Sequence, residues 1–398
     1  MMRGLIYCVH LYGIGHLKRM LSLAEGLVED CEITLIQAGR NEKVTFLHPN
    51  FRHIGIPLPR SMIPFITNNE AASFEKLMKI RRRQLFTVMD FSRHYDFFIT
   101  EQIPFTKLAF LCEAYSIMNA LKIKNPNLAM ISSNKGGAPF NEPGKSRSQP
   151  RKDEQLLKTL WESTLKELRA NYDKVLVHVD PQITTLDETF VYFDEIREMV
   201  EYTGYIYPCS EKFASSKKRK KEILITTGSG IKGVPLLLSL LNVVPNIPEY
   251  NFQFVITPEM NRDFVELLHR ESEKLSNMQI VSFLDNFDEK LRESSLAITL
   301  AGSTLINLYA TSTPALVYRD LFDRGQVVQG QKFADHGIVN LINEQDLSPD
   351  KLKNLILETL QNPPKSDIDL NIAGVENSKQ AIMKTVQEKR QSANQKSV

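Results

Sequence analysis

Short apolar runs alternate with longer amphipathic segments along most of this sequence. The first run, Leu5–Val9, has the length and composition of a buried strand. From Leu17 to Leu27 apolar residues recur every three or four positions, which predicts a helix packed on one face. A short glycine turn separates the two, so residues 4–27 predict the strand, turn and helix that open a parallel βα unit. Similar alternation continues downstream, and a further helix is predicted at 190–200.

The alternation is interrupted once and then starts again. Residues rich in Ser, Lys and Arg form a stretch of low apolar content that is typical of a linker. A new apolar run, Glu222–Thr226, follows at once, with the glycine loop Thr227–Gly233 behind it. We therefore expect an α/β protein with two Rossmann-like parallel-sheet domains facing a central cleft. In chain order we expect the first domain at residues 1–207, the linker at 208–221 and the second domain at 222–365. Residues 366–398 are expected to form a C-terminal helix and a tail that is frayed after about residue 390.

Composition narrows the class of protein. The chain has 398 residues, of which 42% are hydrophobic and 24% charged, as in ordinary globular proteins with room for two cores. A net charge of +2 predicts no general attraction to nucleic acid. The four cysteines form no CxxC pair, so neither a zinc ribbon nor a disulfide framework is indicated. No apolar run approaches the roughly 18 residues of a membrane span, and no signal peptide is recognisable, so we expect a cytoplasmic protein.

Candidate chemical groups follow the strands predicted for the first domain. Gly13 and Gly15 allow a tight turn, and His16 comes directly after them, at the carboxyl end of a strand where open α/β sheets bind ligands. Because histidine titrates near neutral pH, His16 is a candidate general base. Glu101 and Asp180 also follow predicted strands. Either they assist His16 or bind ligand hydroxyls, or they cap a helix or lie at the surface.

Two turns of the second domain suit an anion. Each follows a predicted strand and precedes a helix, and the free N–H groups of such turns bind phosphate. We expect a diphosphate to bind there without a metal, since no DxD motif ends a strand. The residues of the two turns are Gly228, Ser229 and Gly230, and Gly302, Ser303 and Thr304.

Three stretches of the chain carry a family resemblance. They are Gly13–His16 with Arg19, Thr227–Gly230, and the segment Phe283–Gly337 that includes AGSTLINLYATSTPALV. Through them the chain resembles the GT-B glycosyltransferases, in the group of the peptidoglycan lipid II N-acetylglucosaminyltransferase. Nearly the whole chain also resembles a set of uncharacterised bacterial glycosyltransferases, through three further stretches: Thr100–Phe105, Val177–Pro181 and Tyr202–Tyr205.

The resemblance implies transfer of a hexose or N-acetylhexosamine from a nucleoside diphosphate sugar to an acceptor hydroxyl. A UDP-sugar, an inverting outcome, and independence of metal and cofactor are favoured. His16, Glu101 and Asp180 would be catalytic. The first domain would bind the acceptor, with Gly13, Gly15 and Arg19 forming its loop. The second would bind the donor through Gly228, Ser229, Gly230, Gly302, Ser303, Thr304, Asn307 and Gln326.

Two departures from the relatives keep alternatives open. Asn307 stands where relatives usually have a ribose-binding Glu, and Ala301 stands where a second glycine is expected. One alternative is a nucleotide-sugar hydrolase, since the glycine loop is also similar to that of the UDP-sugar hydrolase of pseudaminic acid synthesis. Another is a non-catalytic protein that binds sugar nucleotides, which the Asn307 substitution favours.

The expected partners are a nucleotide-sugar donor and an acceptor that is a glycan, a lipid-linked sugar or a small molecule, with no nucleic acid. The apolar segment Ile54–Ile66 and the arginines Arg81–Arg83 would suit peripheral contact with the inner face of a membrane. Alternatively, these apolar residues fill the core of the first domain. His178 lies inside a predicted strand and is expected to be a satisfied core residue.

Overall fold

The structure is a computed structural model. It describes residues 1–11, 14–40, 42–58, 71–136, 150–208, 218–228, 232–257, 259–282, 284, 286–320 and 324–396. Three candidate site residues, Gly13, Ser229 and Gly230, lie outside the described residues, as do residues 59–66 of the apolar segment. The chain divides into two compact units: Met1–Ser210 with Asn371–Val398, and Glu211–Leu370.

Each unit contains one sheet of parallel strands in its described part. The strands of the first unit are β1 (Met2–His10), β2 (Cys31–Gly39), β3 (Phe51–Pro57), β4 (Phe97–Glu101), β5 (Ala129–Asn134), β6 (Lys174–Val177) and β7 (Val200–Tyr202). Those of the second are β8 (Lys220–Thr226), β9 (Asn251–Val255), β10 (Met278–Val281), β11 (Ser294–Leu300), β12 (Ala315–Tyr318) and β13 (Asn340–Ile342). All named strand pairs are parallel, which confirms the predicted α/β class.

Helices connect most of these strands. The first unit has α1 (Gly15–Leu27), α2 (Ala71–Val88), α3 (Leu111–Lys124) and α4 (Pro150–Asn171). The second has α5 (Val234–Val243), α6 (Arg262–Lys274), α7 (Phe287–Glu293), α8 (Thr304–Ala310), α9 (Arg324–Asp335) and α10 (Pro349–Gln361). The last helix, α11 (Gly374–Lys396), belongs to the first unit. Short 3₁₀ helices lie at Leu108–Phe110, Phe193–Glu195, Arg197–Met199, Val244–Asn246 and Glu344–Asp346.

Both sheets reverse their strand order at one place. The order is β3-β2-β1-β4-β5-β6-β7 in the first unit and β10-β9-β8-β11-β12-β13 in the second. The chain therefore builds outward in one direction, then returns to the starting strand and builds outward in the other. The reversal lies between β1 and β4, and between β8 and β11. In open α/β sheets ligands bind in the crevice at the carboxyl ends of the two strands that flank such a reversal.

The core of the first unit explains why its central strands read as unbroken apolar runs. Every residue of Leu5–Val9 is fully buried, because helices cover both faces of a parallel sheet. Helix α11 adds apolar side chains to this core, including Ile382 and Val386. It is also fixed by ion pairs, among them Arg390 with Asp96 at 2.7 Å. The helix extends to Lys396, beyond the residue near 390 at which the sequence predicts fraying.

The predicted helix at 190–200 is wrong. The structure has two 3₁₀ turns there, followed by strand β7. Phe190, Phe193 and Ile196 are buried and are spaced three residues apart. Such spacing places side chains on one face of a 3₁₀ helix, which has three residues per turn.

Three apolar side chains in the described part of the proposed membrane-facing segment lie inside the protein, while Gly55 and Pro57 are exposed. Ile54, Ile56 and Leu58 are 7%, 2% and 3% exposed, so these three residues fill the core of the first unit. Arg81 is also buried, because its guanidinium forms an ion pair with the buried carboxylate of Glu113, 2.5 Å from Nε to Oε1. Its charge is therefore not available to a lipid surface. No helix in the described residues is long and apolar enough to cross a membrane.

Candidate active site

The first candidate site forms where the strand order of the first sheet reverses. Strands β1 and β4 are parallel neighbours with Tyr7 opposite Thr100, so their carboxyl ends lie side by side. Helix α1 begins soon after β1 and carries His16 in its first turn, while Glu101 is the last residue of β4. As a result His16 Nδ1 lies 2.6 Å from Glu101 Oε1, although 85 positions separate them in the sequence.

The Glu101 carboxylate is fully buried and is surrounded by donors. Arg19, one turn along α1 from His16, donates to the same oxygen, Oε1. Lys107 donates through Nζ to the other oxygen, Oε2, and also to the main-chain carbonyl of Val9. Because an unpaired buried carboxylate would lose its hydration without compensation, these partners are what allow Glu101 to lie there. The site combines a carboxylate, a guanidinium, an ammonium and an imidazole.

The electrostatics of this cluster keep Glu101 ionised and His16 neutral. Burial by itself raises the pKa of Glu101, but Lys107, His16 and Arg19 together hold that pKa well below its usual range. Burial is the largest cause and lowers the pKa of His16 to about 4, although Glu101 raises it; the charges of Lys107 and Arg19 lower it by smaller amounts. At neutral pH the ring therefore carries one proton. Because Nδ1 is hydrogen-bonded to the ionised carboxylate, we assign that proton to Nδ1 and the lone pair to Nε2.

The backbone at the start of α1 also suits a ligand. Helix α1 begins at Gly15, and its N-cap, Ile14, provides no side-chain hydrogen bond. The first amides of the helix therefore depend on water or a ligand for their hydrogen bonds. Gly15 and Arg19 lie on this first turn and a half of α1, next to His16.

Asp180 is not brought to His16. It lies three residues after β6 and is 3% exposed. Its Oδ1 accepts the amide of Gln182 at 2.8 Å, and its Oδ2 accepts the amide of Asn371 at 2.7 Å. The carboxylate thus stabilises the turn after β6 and the chain that leads into α11. A catalytic role for Asp180 stays a prediction without a contact that supports it.

His178 is a satisfied core residue, as predicted. The ring is 2% exposed, and both of its nitrogens are paired, Nε2 with Ser133 Oγ and Nδ1 with Thr203 Oγ1, each at 2.8 Å. Burial lowers its pKa to about 3, so it stays neutral at physiological pH. Its hydrogen bonds tie the ends of β5 and β6 together.

The second candidate site forms at the corresponding reversal in the second sheet. Strands β8 and β11 are parallel neighbours with Thr226 opposite Thr299, so the turns that follow them lie side by side. Gly228 has a φ of +65°, a conformation that glycine adopts without strain. An added Cβ at Gly228 or at Gly302 would meet no heavy atom within 4 Å, so open space adjoins the backbone at both positions.

The turn after β11 presents main-chain donors. Gly302 donates to the Leu300 carbonyl at 2.8 Å, and Ser303 is the N-cap of α8, which begins at Thr304. Ser303 makes no side-chain cap. Amides at the start of a helix have no partner within the helix, and such N–H groups suit an anion.

The two remaining donor-side residues lie on α8 and α9. Asn307 donates through Nδ2 to Asp288 Oδ1 at 2.7 Å. A glutamate at position 307 would face that carboxylate, so an amide is the compatible residue here. Gln326 lies in the first turn of α9 and is half-buried. A Cβ on Gly330 of the same helix would come within 3.0 Å of Ala301 Cβ, which shows how closely α9 packs on this turn.

Sequence reasoning missed Lys107 and Asp288. Neither belongs to a periodic pattern or a motif, and each becomes significant only through a partner distant in the sequence. For Lys107 a weak signal was present, since it is a single cation six residues after Glu101. In the part of the chain that the structure describes, no group of three or more His, Cys, Asp or Glu side chains is arranged to hold a metal ion.

Comparison with known proteins finds relatives for the second half of the chain. Residues 222–386 match the glycosyltransferase family 28 C-terminal domain. A curated relative is the UDP-N-acetylglucosamine–N-acetylmuramyl-(pentapeptide) pyrophosphoryl-undecaprenol N-acetylglucosamine transferase of Carboxydothermus hydrogenoformans. It is 28% identical over 153 residues, which cover 37% of this chain and 40% of the relative. The chain spans 24% to 49% of the length of four transferases with this name.

Solved structures resemble the whole chain. Phytolacca americana UGT2, complexed with UDP-2-fluoro-glucose and pterostilbene, has a TM-score of 0.58 at 11% identity, covering 97% of this chain and 94% of that one. The glycosyltransferase VinC in complex with dTDP has a TM-score of 0.54 at 14% identity, covering 97% and 95%. At such identities the likeness concerns the fold. The predicted fold is thereby confirmed: the chain has the GT-B fold of these glycosyltransferases, and its residues 222–386 are similar to the glycosyltransferase family 28 C-terminal domain.

Proposed function

We propose that this protein transfers a hexose or N-acetylhexosamine from a nucleoside diphosphate sugar to an acceptor hydroxyl. The observation that carries the proposal is the neutral His16 ring held at 2.6 Å from an ionised, fully buried Glu101. A histidine oriented by a carboxylate is an effective general base, because the carboxylate fixes the tautomer and stabilises the imidazolium that forms. The family 28 domain and the GT-B fold support the same class of reaction.

In the proposed step His16 Nε2 accepts the proton of the acceptor hydroxyl. The hydroxyl oxygen forms a bond to the anomeric carbon of the sugar, and the bond from that carbon to the diphosphate oxygen breaks. The diphosphate leaves with the bonding electron pair. A single displacement of this kind inverts the anomeric configuration. The His16 side chain is 25% exposed, so an acceptor can reach the ring.

The second unit binds the donor in this proposal. The amides at Ser303 and Thr304 and the open backbone at Gly228 and Gly302 suit the diphosphate, whose negative charge grows as it leaves. These groups provide the electrostatic stabilisation without a metal. Residues 1–207 would form the acceptor side and 222–365 the donor side.

A UDP-sugar is the favoured donor. The curated relatives are named for UDP-N-acetylglucosamine, and UGT2 was solved with UDP-2-fluoro-glucose, whereas VinC was solved with dTDP. The first experiment is therefore a thermal-shift screen of UDP, UDP-sugars and dTDP-sugars. A ligand that binds only the folded protein raises the midpoint of unfolding. If no nucleotide raises that midpoint, the proposal is wrong.

The second experiment separates transfer from its alternatives. The nucleotide sugar that binds is incubated with the protein and a panel of acceptors that includes a pyrophosphoryl-undecaprenol-linked sugar. Release of the nucleoside diphosphate is then measured. We expect release that depends on the acceptor and is unchanged by EDTA. Release at the same rate without any acceptor would indicate a hydrolase, and binding without release would indicate a non-catalytic protein.

A further inference from the structure

The loop between β4 and the 3₁₀ helix Leu108–Phe110 holds its last residue, Lys107, in an unusual conformation. Lys107 has a φ of +56°, in the left-handed region that residues other than Gly and Asn seldom adopt. Its side chain is only 13% exposed although it is cationic. Both features cost free energy, and such costs are typically retained at functional sites.

The contacts of Lys107 explain where its charge is directed. The ladder between β1 and β4 ends with Tyr7 opposite Thr100, so the Val9 carbonyl lies beyond it. Lys107 Nζ donates to this carbonyl and to Glu101 Oε2. The ammonium therefore joins the end of β1 to the carboxylate at the end of β4, at the reversal of the sheet.

The two cations at Glu101 have different positions. Arg19 donates to Oε1, the oxygen that His16 also uses. Among the described residues only Lys107 donates to Oε2. Lys107 thus holds one carboxylate oxygen, while Arg19 and His16 share the other.

We propose that Lys107 is a positioning residue of this site: it holds Oε2 so that Oε1 accepts the His16 Nδ1 proton, which keeps Nε2 as the basic atom of the ring. A role of Lys107 in catalysis rests on the proposed function, but its effect on the tautomer and the pKa of His16 does not. Lys107 also places a second positive charge near that ring and opposes its protonation.

Two other titratable groups face this cluster, and both are neutral at physiological pH. Burial raises the pKa of the Cys8 thiol on β1 to about 12. Burial lowers the pKa of His178 to about 3. Removal of the Lys107 charge is therefore not compensated by either group.

The test is an NMR titration of the His16 ring in the full chain, with long-range ¹H–¹⁵N spectra that report tautomer and pKa. His16→Gln assigns the signal. In Lys107→Met we expect the His16 pKa to rise by roughly one unit and the Nδ1–H tautomer to lose its dominance. In Lys107→Arg, which keeps the charge, both are expected near the wild-type values. Lys124→Met, which removes an exposed cation from the end of α3, is the matched control and should change neither.

Turnover gives a second readout. In Lys107→Met the acid limb of the kcat/KM profile should move to higher pH with the His16 pKa, and kcat should fall roughly tenfold while donor affinity is unchanged.

An unchanged tautomer and pKa of His16 in Lys107→Met, or a changed tautomer and pKa in Lys107→Arg, would overturn the inference. If Lys107→Met does not fold, Lys107→Gln replaces it, since it retains a donor for the Val9 carbonyl but not the charge, and the same shifts are expected. A wild-type protein with no turnover would overturn the proposed function alone, because the NMR shifts do not depend on turnover.

Discussion

The two units place their candidate sites at the same topological position but build them from different chemical groups. At the reversal of the first sheet, ionisable side chains converge on one fully buried carboxylate, Glu101. At the reversal of the second sheet, the open space adjoins two glycines, and the donors are main-chain amides. Side chains can move a proton, whereas backbone amides can only bind charge. In the proposed function, one fold used twice thus separates proton transfer from diphosphate binding.

The largest expected effect comes from removing the base of the first site. His16→Ala should lower kcat by 10² to 10⁴, the usual contribution of general base catalysis. Donor affinity should stay at its wild-type value, because the proposed donor contacts lie in the other unit. Initial rates and calorimetric donor titration measure the two quantities. His269→Ala, an exposed histidine on α6, is the matched control. If His16→Ala weakens donor binding as strongly as it slows turnover, the separation of roles is wrong.

Acid should destabilise the first unit more than the second. The pKa values of His16 and His178 are lowered from 6.5 to about 4 and about 3, so the unfolded chain binds protons first as the pH falls below 6.5. The pKa of Glu101 is also lowered, so its contribution is present above about pH 4.5 and is lost below that value. All three act in one direction, and each histidine alone removes about 3 kcal/mol of stability between pH 6.5 and pH 4.5.

Hydrogen exchange at pH 7 and pH 4.5 measures this difference by unit. Amides of β1 and β4 should lose more protection than those of β8 and β11. In His178→Asn, which removes one of these titrating groups, the acid-induced loss in the first unit should be smaller. Equal loss of protection in both sheets would contradict the electrostatic contrast between the two sites.

A smaller effect is expected from adding one methyl group to the second site. A Cβ at Gly302 meets no heavy atom within 4 Å, so Gly302→Ala should leave the midpoint of thermal unfolding unchanged. It narrows the approach to the amides of the turn, and we expect donor affinity to fall roughly tenfold. Gly26→Ala is the opposite control, since its Cβ would lie 2.2 Å from Val375 and should lower stability. Unchanged donor affinity in Gly302→Ala would show that the diphosphate does not approach this backbone.

The comparison also shows what the sequence could reveal. Apolar runs such as Leu5–Val9 predict the strands because strands covered on both faces must be apolar along their whole length. His16 and Glu101 were both recognisable, since each follows an apolar run that predicts a strand. That they touch depends on β4 returning to the side of β1, which is a property of the strand order and not of either segment.

Other features were beyond a linear pattern. Lys107 contacts Glu101 from a left-handed backbone conformation, and sequence periodicity indicates neither the conformation nor the contact. Arg81 lies in a basic run that suggests a charged surface, yet Glu113 on a helix 32 positions away draws it into the core. In each case a partner distant in the sequence, and not the local pattern, determines the role of the residue.

The smallest expected effect tests whether Asp180 belongs to the proton-transfer site or only supports it. Asp180→Ala removes the acceptor for the amides of Gln182 and Asn371, at 2.8 Å and 2.7 Å, and should reduce the free energy of unfolding by about 1–3 kcal/mol. In Asp180→Asn one oxygen remains as an acceptor, so about half of that loss is expected. Denaturant titration gives the free energies of unfolding of both variants.

The second quantity is kcat, measured well below the unfolding transition. If Asp180 only fixes the turn, kcat at 20 °C stays within twofold of wild type in both variants, because neither hydrogen bond reaches His16. A hundredfold loss of kcat in Asp180→Asn with little loss of stability would instead place a second carboxylate in the reaction and break the contrast between one side-chain site centred on Glu101 and one backbone site.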